Sequence, residues 1–144
     1  CGSGWESASL VRHVDGSLIA SIGGSTQGHG RETACVQLLC DEFTLQPAAI
    51  RLRLGDTDTC PTGIGALASR STAHGGSALL SAARNIKQQM CSTPDSDTTL
   101  ESHVVYTAEH EAWGSGFFAA QVAIDADTGK VTVERIICVD EIGR

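Results

Sequence analysis

Apolar positions in this chain follow two periods, and the changes of period mark out its elements. From Glu32 to Phe43, Val36, Leu39, Cys40 and Phe43 recur at i, i+3, i+4 and i+7, which places them on one face of a helix. A second helix is predicted from Thr72 to Met90, with Leu79, Ala82, Ala83, Ile86 and Met90 turned inward. Ile50-Arg51-Leu52-Arg53-Leu54 alternates strictly, as a strand with one buried side does. Leu10 to Val14 and Ser17 to Ile22 flank Asp15-Gly16, a two-residue hairpin signal, and Phe117 to Asp125 and Lys130 to Val139 flank Asp127-Thr128-Gly129. Pro47 ends the first helical region, and the polar stretch from Ser92 to Thr99 reads as a loop. The predicted order is β-β-loop-α-β-loop-α-β-β-β, with no internal repeat.

Composition narrows the class. The chain has 144 residues, is 41% hydrophobic and carries a formal charge of −7, with only ten Lys and Arg, and these are dispersed. That distribution argues against nucleic acid as the main partner, because a phosphate backbone calls for clustered cations. No run approaches the roughly 18 apolar residues of a membrane span. The chain opens at Cys1 and ends at Gly143-Arg144 without a closing turn, as expected of a processed or partial polypeptide. Its six cysteines, Cys1, Cys35, Cys40, Cys60, Cys91 and Cys138, include no Cys-x-x-Cys pair and no iron–sulfur or zinc-finger spacing. Cys35 and Cys40 fall in a helical apolar pattern and Cys138 in a strand pattern. The expectation is buried free thiols, a reducing compartment and a cytoplasmic protein.

Candidate chemistry lies in two glycine-rich runs, each just ahead of a helix. Residues 23–33 hold Gly23, Gly24, Gly28 and Gly30, and residues 63–72 hold Gly63 and Gly65 followed by Ser69-Arg70-Ser71-Thr72. Glycine lets backbone N–H groups come close to a ligand, and the first turn of a helix carries partial positive charge. A pair of such loops points to a large phosphorylated cofactor. The nucleotide P-loop frame from Gly23 to Gly28 fails, because His29-Gly30 stands where Lys and Ser/Thr must hold phosphate and magnesium, and no Gly-x-Gly-x-x-Gly occurs. His29, His74, His103 and His110 match no metal-ligand spacing. The glycines around His29 nevertheless favour contact with a ligand. Ser69 and Ser71 could instead serve only as helix caps.

Several segments together resemble the molybdenum-binding subunit of the xanthine dehydrogenase, aldehyde oxidase and carbon monoxide dehydrogenase family. They are residues 24–33, Gly55-Asp56-Thr57-Asp58-Thr59-Cys60-Pro61, Ser69-Arg70-Ser71-Thr72 with Gly75-Gly76-Ser77-Ala78, residues 122–131 and Val139-Asp140-Glu141-Ile142-Gly143-Arg144, in that order. The resemblance implies an α+β chain in which β-hairpins and two helices, each entered through a Gly-rich loop, form a partial molybdopterin-binding domain over residues 1–144. The chain would be a fragment or small subunit, with the second half of the family's domain absent.

The resemblance also implies a cofactor and partners. Molybdopterin with molybdenum, often in the cytosine dinucleotide form, serves this family in oxidising aldehydes, purines, other N-heterocycles or carbon monoxide, with water as the oxygen source. Iron–sulfur and FAD partner chains carry electrons away. Carried over by position, Gly28, His29 and Gly30 correspond to a Gly-Gln-Gly turn beside the metal, and Ser69, Arg70, Ser71 and Thr72 to a segment that binds the pterin and phosphate end. Arginine there could pair with phosphate bidentately. His29 replaces the expected glutamine. The stretch from Met90 to Val104 is shorter than the family's connection, and the family's catalytic glutamate lies in a later segment. Glu101, Glu109 and Glu111 stand in unrelated context, so no catalytic residue and no metal ligand is assigned here. The chain is expected to be inactive alone. A non-catalytic scaffold that has lost the cofactor is the alternative reading.

Overall fold

A computed structural model describes residues 4–93, 97–111 and 113–141. The chain divides at residue 111 into two compact units. In the first, strands β1 (Gly4–Arg12), β2 (Leu18–Ile22), β3 (Ile50–Arg53) and β4 (Leu100–Ala108) form one sheet in the order β3-β2-β1-β4. β1 runs antiparallel to β2 and β4, and β2 runs parallel to β3. Helices α1 (Arg31–Phe43) and α2 (Ser77–Ser92) pack on it, giving the α+β architecture expected from the sequence.

The period-2 and period-3.6 patterns meet in one core. Ala8 and Leu10 of β1 share a sheet face with Leu18, Ala20 and Ile22 of β2, because the register pairs Ala8 with Ile22 and Leu10 with Ala20. Against that face lie Cys35 and Leu39 of α1 and Ala78, Leu79, Ala82, Ala83 and Ile86 of α2, all buried. The alanines keep α2 close to the sheet. Lys87 of α2 donates to the Glu42 carbonyl and carboxylate of α1 at 2.8 and 3.0 Å, an exposed tie of small energetic weight.

Three boundaries differ from the sequence reading. β1 begins at Gly4 rather than Leu10, because β4 pairs with it along its whole length, from Gly4 opposite Ala108 to Arg12 opposite Leu100. The first hairpin does not turn on two residues: Arg12 and Leu18 are the closing pair, and His13 N–H donates to Ser17 O across the loop at 2.9 Å. The second helix opens as a wide π-turn, Ser71–Gly76, before α2. Gly75 and Gly76 permit this, since added Cβ atoms would lie 2.9 Å from Arg31 Nη2 and 3.1 Å from Leu38 Cδ1.

The second unit is the hairpin of β5 (Gly116–Ile124) and β6 (Val131–Asp140). Its turn follows the sequence reading: the Asp125 carboxylate accepts the Asp127 and Thr128 N–H groups, and Gly129 adopts φ 69°. The Thr128 hydroxyl, which donates to the same carboxylate at 2.8 Å, and then those N–H groups hold the Asp125 carboxyl below its ordinary range. The thiol expectation holds for Cys35, which is buried, and fails for Cys138, which is exposed because this unit has no second layer of its own. Cys91, near the end of α2, is exposed as well, Cys40 and Cys60 are partly buried, and these five thiols are free; Cys1 lies outside the described residues.

Leu79 is fully buried between α2 and the sheet. Leu79→Ala should lower unfolding free energy by about 2–5 kcal/mol, read as a shift of the urea midpoint at unchanged slope.

Candidate functional site

The site starts from a carboxylate inside the core. Glu6 occupies the same face of β1 as Ala8 and Leu10 and is 1% exposed. Its Oε1 accepts the Ser7 N–H at 3.2 Å, and its Oε2 accepts the Gly65 N–H at 3.1 Å. Arg70 Nη1 lies 3.7 Å from Oε2, and Arg70 Nη2 donates to the Trp5 carbonyl at 2.6 Å. An added Cβ on Gly63 would overlap the carboxylate, and one on Gly23 would lie 2.5 Å from it. Glycine is therefore required at both places by a side chain far away in sequence.

Neighbouring bonds draw the two glycine runs side by side. Ser7 Oγ donates to the Thr62 carbonyl, and the Gly23 N–H donates to the Ser7 carbonyl at 3.1 Å. Gly24 lies against Gly65 so closely that a Gly24 Cβ would sit 2.6 Å from Gly65 Cα. Arg31, the first residue of α1, is buried beneath this seam and donates from Nη2 to the Gly23 carbonyl at 2.8 Å. Its Nε and Nη1 meet no acceptor among the described residues.

At the surface, the two runs meet through side chains. His29 Nε2 and Ser71 Oγ are 3.2 Å apart, while the Gln27 N–H donates to His29 Nδ1 at 3.2 Å. Because Nδ1 accepts, a neutral ring carries its proton on Nε2 and donates it to Ser71. Gln27, His29, residues 66–69 and Ser71 line an open groove of about 300 Å³. Gly28 and Gly30, at φ 85° and 69°, form the turn that carries His29, and Cβ atoms there would meet nothing within 4 Å. Ala68 and Ser69 hold left-handed conformations at φ 48° and 56°, which non-glycine residues adopt at a cost of roughly 1–2 kcal/mol each.

The structure thus brings His29, Ser69 and Ser71 to one groove, while Gly28 and Gly30 form the turn that carries His29 and do not line it. Thr72 is exposed on the π-turn, outside its lining. Arg70 faces inward to Glu6 and Trp5, so its guanidinium is not the surface phosphate ligand that the sequence suggests. The capping role for the serines is not seen: no side-chain cap bond forms at the π-turn or α2, and Ser71 bonds His29 instead. α1 likewise begins after Gly30 with no side chain capping its first turn.

Sequence reasoning missed Glu6 and Arg31. The signal for Glu6 was a charge standing two residues before Ala8 on the inward alternation. A second cavity of about 380 Å³ lies between Gly24, Ser25 and residues 55–63. There Asp56 is held below the ordinary carboxylate range by the Asp58 N–H and the Thr59 hydroxyl. His74, on the π-turn, is pushed down from its ordinary 6.5 by burial and then by the nearby Arg70 charge, and its ring meets Tyr106 edge-on at 6.3 Å.

Comparison with known proteins gives the chain's family. The sequence profile of the molybdopterin cofactor-binding domain family matches residues 2–109. The chain belongs to that family. It is 41% identical over 83 residues to the carbon monoxide dehydrogenase large chain of Afipia carboxidovorans, covering 58% of this chain and 10% of that one. It is 37% identical over 68 residues to subunit gamma of the 6-hydroxypseudooxynicotine dehydrogenase complex of Paenarthrobacter nicotinovorans, covering 47% of this chain and 9% of that one. Reconstituted CO dehydrogenase from Oligotropha carboxidovorans superposes with TM-score 0.84 at 27% identity, over 94% of this chain and 22% of that one. The aldehyde oxidoreductase of Desulfovibrio desulfuricans shares the fold at TM-score 0.77 and 23% identity, over 99% of this chain and 18% of that one. The chain thus spans about a tenth of the length of the curated relatives it matches. Among the described residues, no helix is long and apolar enough to cross a membrane.

Two outcomes follow from the buried charges. Glu6→Ala strands Arg70 in the core and should cost about 3–5 kcal/mol in urea unfolding, several times the effect of removing an exposed ion pair. His74 has a lower pKa folded than unfolded, so the unfolded chain binds the extra proton. Stability is then full above the ordinary value and falls as pH drops below about 6.5, and His74→Gln should flatten that part of a pH series of melts.

Proposed function

We propose that this chain supplies one wall of the molybdopterin site of a molybdenum hydroxylase. The observation that carries the proposal is the His29–Ser71 contact, which joins the two Gly-rich loops into one groove. Family membership over residues 2–109 supports it, as do relatives named as dehydrogenase large or gamma chains. The residues present fit a polar, phosphate-bearing ligand. The Gly28 and Gly30 turn leaves room for close approach of its backbone, Ser69 and Ser71 offer hydroxyls, and Arg31 keeps unspent N–H groups below the loop.

In this reading Gly28, His29 and Gly30 border the pterin end, and Ser69 and Ser71 hold its polar edge. Arg70 keeps the second loop in place through Glu6 and the Trp5 carbonyl rather than by touching the ligand, and Thr72 is an exposed hydroxyl beside it. The cofactor, when bound, supplies the redox chemistry that hydroxylates a small aldehyde, purine, N-heterocycle or carbon monoxide with oxygen from water. The chain's own residues orient it: His29 donates from Nε2 and can exchange Ser71 for a ligand acceptor without moving its ring, because Gln27 holds Nδ1. The base that takes up a proton in the reaction is supplied by another segment. Residues 1–144 form only part of a molybdopterin-binding domain in this reading. They work in the cytoplasm with the rest of that domain and with iron–sulfur and FAD subunits, and the cofactor is in its dinucleotide form.

Molybdenum analysis and dye-coupled oxidation test this. A native assembly containing the chain should hold molybdenum and oxidise a member of the substrate panel, whereas the isolated chain should retain no stoichiometric cofactor through gel filtration and show no turnover. His29→Ala in the assembly should lower cofactor retention by about tenfold while the melting temperature stays unchanged, since one hydrogen bond is lost at the surface. Full molybdenum retention and turnover by the lone chain would sink the shared-site reading.

A further inference from the structure

The turn that carries His29 has little packing to hold it. Residues 25–30 are all exposed, and Cβ atoms added at Gly28 or Gly30 would meet nothing within 4 Å. Among the described residues, the side-chain hydrogen bonds that reach this stretch are both made by His29. Its Nδ1 accepts the Gln27 N–H at 3.2 Å, and its Nε2 lies 3.2 Å from Ser71 Oγ. The first bond closes the turn upon itself, and the second carries it across the groove to the second loop. Bonds at two edges of one flat ring fix its plane and the direction of its Nε2–H.

That arrangement needs a lone pair on Nδ1. A backbone N–H can only donate, so it calls for an unprotonated acceptor. Histidine is the side chain that gains a proton between about pH 5 and 8, and both nitrogens of the imidazolium are donors. In that form the Nδ1–H and the Gln27 N–H point at each other, and the ring has to leave the turn. Water solvates the parted groups at this exposed place, so the proton opens the contact without unfolding the chain. No nearby charge substitutes for it. On the segments that meet at His29, Glu32 is exposed, Arg31 turns inward to the Gly23 carbonyl and Arg70 turns inward to Glu6, and none of them forms an ion pair with His29.

We infer that His29 is a proton-sensitive clasp: its neutral ring holds the Gly28–Gly30 turn to the second loop, and one proton releases it. The clasp belongs to the chain alone, whereas its consequence, loss of cofactor as His29 takes up its proton, rests on the reading of the groove as part of a molybdopterin site. His29 is in this sense a positioning residue, whose ring orients the turn that meets the ligand.

Nuclear magnetic resonance on the 144-residue chain tests the clasp without cofactor. At about pH 8 the neutral ring should carry its proton on Nε2, and on acidification the Gln27 amide and the His29 ring nitrogens should move through one shared midpoint. A ring protonated on Nδ1 at the alkaline end, or a Gln27 amide that ignores the His29 titration, overturns the clasp. His29→Gln still reaches towards Ser71 but carries no titrating group, so its Gln27 amide should lose the shift; a shift of undiminished size there overturns the clasp as well. In a native assembly, the molybdenum retained through gel filtration should be about tenfold lower at about pH 5 than at about pH 8, and the His29→Gln assembly should retain equal amounts at both. His74 and the other histidines are common to the two chains, so equal pH dependence in both overturns a role for His29. A shared midpoint in the lone chain, with no molybdenum in the assembly at any pH, upholds the clasp and sinks the reading of the groove instead.

Discussion

A single buried carboxylate organises this fold. Glu6 sits where the alternation of β1 calls for an apolar residue, and its desolvation is tolerable only because a backbone N–H from each of two segments and a guanidinium meet it. Each partner comes from a different part of the chain: Ser7 beside it, Gly65 on the second loop and Arg70 at the head of the π-turn. The carboxylate therefore acts as a fixed reference point for loops that have no regular structure of their own. It also explains the glycines. Those at 23 and 63 are needed less for turning than for leaving room beside Glu6, while those at 28 and 30 turn freely in open space.

This division sorts the two loops into a rigid inner layer and an adaptable outer one. The inner layer is buried and charged, with Glu6, Arg70 and Arg31 under the seam between Gly24 and Gly65. The outer layer holds His29, Ser69 and Ser71 around a groove and is joined by one surface hydrogen bond. Ala68 and Ser69, in left-handed conformations, turn the chain between the layers, so that Ser69 and Ser71 face the groove while Arg70 faces the core. The family pattern of the sequence names both kinds of residue without distinguishing them. Only the fold separates residues that can meet a ligand from those that hold the loop still.

What could be read from the sequence was local. Helical periodicity located α1 and α2, and the Asp125 to Gly129 chemistry located the second hairpin, because those signals lie within a few residues of one another. The ordered motifs likewise located the His29 and Ser71 segments, but not their contact across the groove. What escaped was non-local. In the first half of β1 a charge, Glu6, occupies an inward position of the alternation, and its strand character comes from pairing with residues about a hundred positions later. The wide first turn of the second helix escaped too, for its Gly75 lies so close to Arg31 of another helix that a Cβ would not fit, and no local pattern signals that contact.

The pairing of β1 with β4 also sets a timetable for biosynthesis. Gly4 finds its partner only at Ala108, so the sheet cannot close until that residue has emerged, and Glu6 waits for Gly65 and Arg70 before its charge is met. At about 5–20 residues per second, the N-terminal strand spends roughly 5–20 s as an unpaired edge. During that interval it carries an ionised carboxylate among its small side chains, and an edge marked by a charge is a poor template for another chain. The residue that later anchors both loops thus also protects the nascent chain from the wrong strand partner.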